Sequence, residues 1–235
     1  MATPEVPPSN TDQEARERRE KRRRAAQRRL TIAFPFLLVL VFVVYAFQTN
    51  YIPTESMLPT LKPGDHIVTM RSWLAYPGGR LPAVGDIIVF LRRSDPSQES
   101  ARLDDPASKP GRLRLFREPA GTEVLIKRVV AVEGDTVAVV GADVYVNGQL
   151  QRPWWEIVRD PAGSIGAFYG VLRPVKLGPG EMFVLGDNRG NSDDSRFWGP
   201  VKRSEVLGRF VRVLYNEGPN GPNARRAAAE RTGDQ

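Results

Sequence analysis

Ser56 lies in YIPTESMLPTLKPGD, residues 51–65, between Pro53 and Pro59. A serine hydroxyl is a poor nucleophile until a base removes its proton, so the first question is which base this chain offers. The sequence has no cysteine and a single histidine, His66. Thiolate chemistry is therefore excluded, and a zinc site of the Cys/His kind has too few ligands. His66 heads the run HIVTM, where a lone histidine is more often a surface or hydrogen-bonded structural residue. Lysine is the other base known to serve serine, and it must be desolvated first. Bringing its pKa from about 10.4 to about 7–8 takes roughly 4 kcal/mol. Lys127 sits in EVLIKRVVAV. Strand alternation there places Leu125, Lys127 and Val129 on one face and Ile126, Arg128 and Val130 on the other. Lys62 and Lys109 adjoin Pro in loops, and Lys176 and Lys202 lie near turns. Two readings of Lys127 stand at this point: a desolvated base, or a rim residue whose stem crosses apolar surface while its amine reaches water.

The elements that must position these side chains begin with a charge boundary. Nine of the 34 basic residues fall in 16–29, so the net charge of +7 is local and the rest of the chain is too nearly neutral for a broad phosphate-binding face. Residues 1–29 are polar and charge-rich and are expected to form a disordered tail. Residues 30–47, LTIAFPFLLVLVFVVYAF, carry no charge over 18 residues. At 1.5 Å per residue that spans about 27 Å, matching a hydrocarbon core of about 30 Å. A transmembrane helix over 30–48 is expected, with Pro35 tolerated near its start. A cleaved secretory signal is the rival reading. The apolar stretch exceeds the usual length for one, and no small-x-small site follows in AFQTNYIPTESM. Basic residues crowd the N-terminal side, whereas only Lys62 lies in the comparable window beyond it. The positive-inside rule then puts the N-terminus in the cytoplasm and everything after residue 48 outside.

Beyond the span, DHIVTM, GDIIVFL, TEVLIKRVVAVEG, DTVAVV, DVYVNGQL, EMFVLGD and LGRFVRVLY are short runs rich in Val, Ile and aromatics, bounded by turn residues. Asn147-Gly148 signals a hairpin. The expected fold is mainly β: an antiparallel sandwich or barrel-like domain over 49–215 following one N-terminal transmembrane helix. Inserts at about 92–122 and 151–174 interrupt it, the second holding Trp154, Trp155, Phe168 and Tyr169, which could rest at a lipid interface or pack in the core. Residues 216–235 are expected to be a disordered tail.

The blocks SMLPTLKPGD, GDIIVF, IKRVVAVEGD and GDNRGNSDDSRFWG, in this order directly after one apolar span, resemble type I signal peptidase, the membrane-bound serine protease that removes signal peptides from exported proteins. The likeness touches most of residues 30–213. Cytosolic self-cleaving repressors share a related serine and lysine domain but lack the span and the GDNR-type block. The resemblance implies Ser56 as nucleophile and Lys127 as general base, acting through an acyl-enzyme. It implies that the Thr54 hydroxyl joins the Ser56 N–H in binding the oxyanion, and that Ser192 hydrogen-bonds the Lys127 amine. Asp194 and Arg196 resemble the bracing ion pair, with Asp187 and Arg128 in support. Ile52 and Ile126 match positions lining shallow apolar pockets for the small residues of Ala-x-Ala-like sites, although they could equally be plain core residues. Glu55 departs from the family, which often has a small residue there. The implied partners are signal-peptide-bearing preproteins and the lipid bilayer, with no nucleic acid, no metal and no cofactor. The block from Asp187 also fails as a calcium loop, since an EF-hand needs Gly sixth and Glu twelfth, and here those positions are Ser192 and Trp198.

Two readings from other classes compete. A membrane-tethered β domain that only binds a partner would keep all function as Ser56→Ala. A nucleic-acid-binding tail with a passive outer domain would lose its activity on deletion of residues 1–29.

Overall fold

The computed structural model describes residues 10–93, 122–158, 172–218 and 221–222. Most of both expected inserts, with Lys109, Phe168 and Tyr169, lies outside them, as does nearly all of the 216–235 tail. The chain divides into two compact units at the junction of Ala46 and Phe47.

Helix α1 (Asn10–Ala46) makes up the first. Its part Gln27–Ala46 is long and apolar enough to cross a membrane. Phe34, Phe36 and Leu38 are more than half exposed, as are Leu40 and Val44, so the apolar surface is not confined to one buried face as in a core helix. Pro35 lies inside the helix without ending it. Two expected boundaries are corrected. Residues 10–29 are helical where a disordered tail was expected: their Arg, Lys, Glu, Gln and Ala are strong helix formers, and the adjoining apolar turns supply the nucleus. The helix stops at Ala46, and Phe47 and Gln48 belong to a strand, held by pairing to Met70 and Thr69.

The second unit is built of two antiparallel sheets. The larger has the order β1-β2-β11-β3-β4-β9-β10, with β1 (Phe47–Tyr51), β2 (Asp65–Arg71), β3 (Ile87–Arg93), β4 (Thr122–Val132), β9 (Glu181–Leu185), β10 (Val201–Lys202) and β11 (Val206–Asn216). The smaller has the order β7-β6-β5-β8, with β5 (Thr136–Val140), β6 (Asp143–Val146), β7 (Gln149–Leu150) and β8 (Leu172–Lys176). Asn147 and Gly148 both take positive φ, 53° and 79°, the signature of the tight turn that joins β6 to β7. Among the described residues between β1 and β11, the α-helices are single turns: α2 (Ser72–Ala75) and α3 (Ser195–Trp198).

β4 is central, paired to β3 from Arg93↔Thr122 to Ile87↔Arg128 and to β9 from Arg128↔Leu185 onward, with a bulge between Val129 and Ala131. The Val/Ile-rich runs pack in three clusters. Ile88, Phe90, Val129 and Val184 centre one, and Val137, Val139, Phe183 and Leu185 another. The third, Ile52, Met57, Leu61, Ile67 and Ile87, sits under the Ser56 loop. Burying each such side chain contributes about 1.5–3 kcal/mol. The consequence for the site is an apolar floor beneath the Ser56 loop, against which Ile126 of β4 also packs. Asn216 ends β11 and is not part of a loose tail, because its amide bonds Asp65 Oδ1 at 2.7 Å.

Candidate active site

Three segments distant in sequence meet here: the loop between β1 and β2, the middle of β4, and the loop after β9 that leads into α3. The first is pinched at its base by Ile52 N–H to Asp65 C=O and Gly64 N–H to Ile52 C=O, both 2.9 Å. Met57 and Leu61, wholly buried, pin it to the core from below. Ser56 is therefore carried on a loop with little freedom.

Lys127 Nζ lies 2.9 Å from Ser56 Oγ, in a hydrogen bond that the amine donates in this arrangement. Lys127 and Ser56 are only 4% and 7% exposed, which removes the rim reading of the lysine. Burial among apolar neighbours pushes the Lys127 pKa below the ordinary lysine value. Asp194, Asp193 and Glu123 pull it back up, and the Arg196 charge adds to the lowering; desolvation is the largest of these effects. An amine so placed gives up its proton more readily than an exposed lysine does. Thr54 is exposed, with Oγ1 3.4 Å from Ser56 Oγ, so its hydroxyl stands beside that of Ser56. His66 is engaged elsewhere, with Nε2 3.2 Å from Glu217 Oε2 and its ring stacked on Tyr215.

The loop after β9 braces this pair. Arg128 donates from Nε to Asp187 Oδ1 at 2.8 Å and from Nη2 to Oδ2 at 2.6 Å, while Nη1 reaches the Gly85 carbonyl at 2.8 Å. Its guanidinium also lies 4.8 Å over the Trp155 ring. Asp194, fully buried, takes Arg196 Nε at 2.7 Å and Nη2 at 2.8 Å, and it caps α3. Arg196 Nη2 further binds the carbonyls of Arg189 and Ser192. These bidentate pairs are geometrically specific as well as strong.

The expected bond from Ser192 to the Lys127 amine is not made. Ser192 Oγ is buried and has no hydrogen-bond partner among the described residues. The hydroxyl is turned toward Gly186 instead, where a Cβ would overlap both Ser192 Oγ and the Ser56 carbonyl oxygen. Ile52 is 2% exposed in the cluster beneath the loop, and Ile126, half-buried, packs against the same cluster. Trp154 is 82% exposed, whereas Trp155 packs on the Val-rich cluster and under Arg128.

Reading the sequence missed four contributors. Thr60 donates to Asp187 Oδ2 at 2.6 Å and accepts from Arg128 at 3.2 Å. Ser195 Oγ accepts the Val184 N–H at 3.0 Å. Gly186 provides the close approach just described, and Asn188 holds the backbone on both sides of the serine. Glycine and asparagine in the GDNR block were the available signals for the last two.

Comparison with known proteins gives the family. The family model described as signal peptidase, peptidase S26, matches residues 25–215. Signal peptidase I of Leptolyngbya laminosa is 35% identical over 77% of this chain and 75% of its own length. Probable signal peptidase I-1 of Synechocystis is 35% identical over 76% of each. Signal peptidase I of Mycobacterium tuberculosis is 32% identical over 83% of this chain and 72% of its own. With most of the chain matched, including every segment that meets at Ser56 and Lys127, this protein belongs to the signal peptidase, peptidase S26, family, as a membrane-anchored serine endopeptidase of the signal peptidase I kind.

Proposed function

We propose that Ser56 and Lys127 form the catalytic dyad, and that the enzyme cleaves signal peptides from exported preproteins after Ala-x-Ala-like sites through an acyl-enzyme. One observation carries this reading: a buried amine 2.9 Å from a buried hydroxyl. The neutral Lys127 amine takes the Ser56 proton as Oγ attacks the scissile carbonyl carbon. The resulting oxyanion accepts hydrogen bonds from the Ser56 N–H and the Thr54 hydroxyl. The Lys127 ammonium then protonates the departing amine, the C–N bond breaks, and the mature protein leaves. Water, giving its proton to the same lysine, attacks the ester, and Ser56 is released with its proton restored.

Asp187, Arg128, Asp194 and Arg196 support the dyad, since a base must be held within about 0.5 Å of productive geometry. The apolar cluster joining Ile52 and Ile126 supports a shallow floor for small side chains before the cleaved bond. The charge asymmetry around α1 supports a single-pass anchor in the lipid bilayer with the N-terminus cytoplasmic and residues 49–215 extracytoplasmic. Substrate and enzyme then share one thin layer, which raises their effective concentration without any added contact.

The test is cleavage of a preprotein by the purified full-length chain. Loss of cleavage in both Ser56→Ala and Lys127→Ala is the expected result; a normal neutral-pH rate in Lys127→Ala would sink the assignment. Shifting the cleavage site from Ala-x-Ala to large residues, and finding equal rates, would remove the pocket assignment alone.

A further inference from the structure

Asn188 grips the backbone on both sides of the serine. Its side-chain Nδ2 donates to the Glu55 carbonyl at 3.2 Å, and its own N–H donates to the Ser56 carbonyl at 3.1 Å. Asn188 is itself buried, 8% exposed, on the short loop after β9. That loop is fixed in turn by Asn188 bridging to Val158 and by Arg189 N–H bonding the Val158 carbonyl at 3.0 Å.

The first of these bonds has a consequence at the other end of the peptide group. The Glu55 carbonyl and the Ser56 N–H belong to one planar trans unit, so they point in opposite directions and cannot turn independently. Whatever holds the carbonyl aims the N–H. The Leu58 N–H also donates to the Glu55 carbonyl, at 3.0 Å, closing the turn from within. Asn188 supplies the second hold, from a separate segment, against rotation of the plane. The asparagine amide must present its nitrogen here, since the partner is a carbonyl oxygen.

We propose that Asn188 is a positioning residue for the oxyanion site: by fixing the Glu55 carbonyl it orients the Ser56 N–H toward the oxygen that becomes charged in acylation. This rests on the assignment of Ser56 as nucleophile and oxyanion donor. A preorganised donor avoids reorientation at the moment charge develops, which is where such groups act most strongly. Because the Leu58 bond persists, loosening the plane weakens the donor and does not abolish it.

The experiment compares Asn188→Ala and Asn188→Asp with the unaltered full-length enzyme on a preprotein, measuring kcat, KM, the pH profile and thermal melting. Asp keeps the shape but, ionised, cannot donate to the carbonyl. Both variants are expected to lower kcat about 10- to 30-fold with KM changed less than twofold. The apparent base in the pH profile should stay in place, since Lys127 is untouched. Asn188→Gln, which keeps the donor on a longer arm, should recover part of the rate. An unchanged kcat in both variants overturns the proposal. So does a rate loss that follows the melting temperature or the base's pKa, which would mark Asn188 as a structural or base-tuning residue. If Ser56→Ala remained active, the serine assignment itself would have failed, and that outcome is read separately from these variants.

Discussion

Asp194 receives both arms of Arg196, Nε at 2.7 Å and Nη2 at 2.8 Å, and a third bond from the Gly186 N–H at 3.0 Å. The carboxylate is fully enclosed and its partner nearly so. Removing the arginine side chain alone leaves a buried negative charge with only two backbone N–H groups for company, those of Gly186 and residue 196. Arg196→Ala should therefore cost about 3–5 kcal/mol, whereas the double variant Asp194→Ala with Arg196→Ala should cost less than Arg196→Ala alone. Denaturant unfolding of the three proteins checks the order, and a double variant worse than the single would contradict it.

Under the proposed dyad, Lys127 should link activity to pH and trade it against stability. Its folded-state pKa lies below the ordinary lysine value, and burial is the chief cause. kcat/KM should accordingly rise with pH through that lowered pKa and not near 10.4. The folded state binds fewer protons than the unfolded chain between the lowered pKa and the ordinary one, so stability rises with pH across that window and the destabilisation is fullest below it. Lys127→Met should be inactive yet melt higher than the parent at neutral pH, by about 2–4 °C for each kcal/mol regained. The gap should close as pH climbs toward 10.4. A gap independent of pH would show that the amine is not the source.

Gly186→Ala is predicted to be severe for geometric reasons. The added carbon would meet the Ser56 carbonyl oxygen, which is backbone and cannot swing aside. The loop after β9 must shift, and with it the holds on the serine. A loss of 100-fold or more in kcat is expected, since misplacement near 1 Å costs about that much. Cleavage assays on folded protein, judged by circular dichroism, decide the matter.

Ser192→Ala should leave the melting temperature unchanged or raise it. The Ser192 hydroxyl is buried and makes no hydrogen bond among the described residues, so its removal gives up no partner and relieves a desolvated polar group. A fall of several degrees would mean the hydroxyl is bonded in solution, with the Lys127 amine the first candidate.

Ser56, Lys127 and the Asp194–Arg196 pair were expected from the resemblance carried by four short blocks after the span, whereas Asp187 and Arg128 were expected only as support and their direct pairing was not read. The chemistry of Lys127 was not legible in its own stretch. Alternation alone favoured the rim residue, and only the enclosure built with two other segments, the loop between β1 and β2 and the loop after β9, removes that reading. Thr60 and Asp187 stand 127 residues apart, and no local pattern announces their bond. Strand β1 escaped notice for a related reason. FQTNY is short and begins inside the uncharged apolar run, which reads as the end of the helix, and only its ladder with β2 marks it as a strand. The helix over residues 10–29 went the other way: composition suggested disorder, but good helix formers continuing an apolar helix need no fresh nucleus.

The order of strands in the larger sheet carries one more consequence. β2 borders β11, and Asp65 meets Asn216 across 151 positions of chain, while the loop that grips Ser56 follows β9. A polypeptide that ends before β9 has both the alcohol and the amine but lacks Asp187, Asn188 and Asp194, whose bonds brace the site from the far side. Under the proposed dyad, a chain cut short before β9 should therefore lack cleavage even though Ser56 and Lys127 are both present.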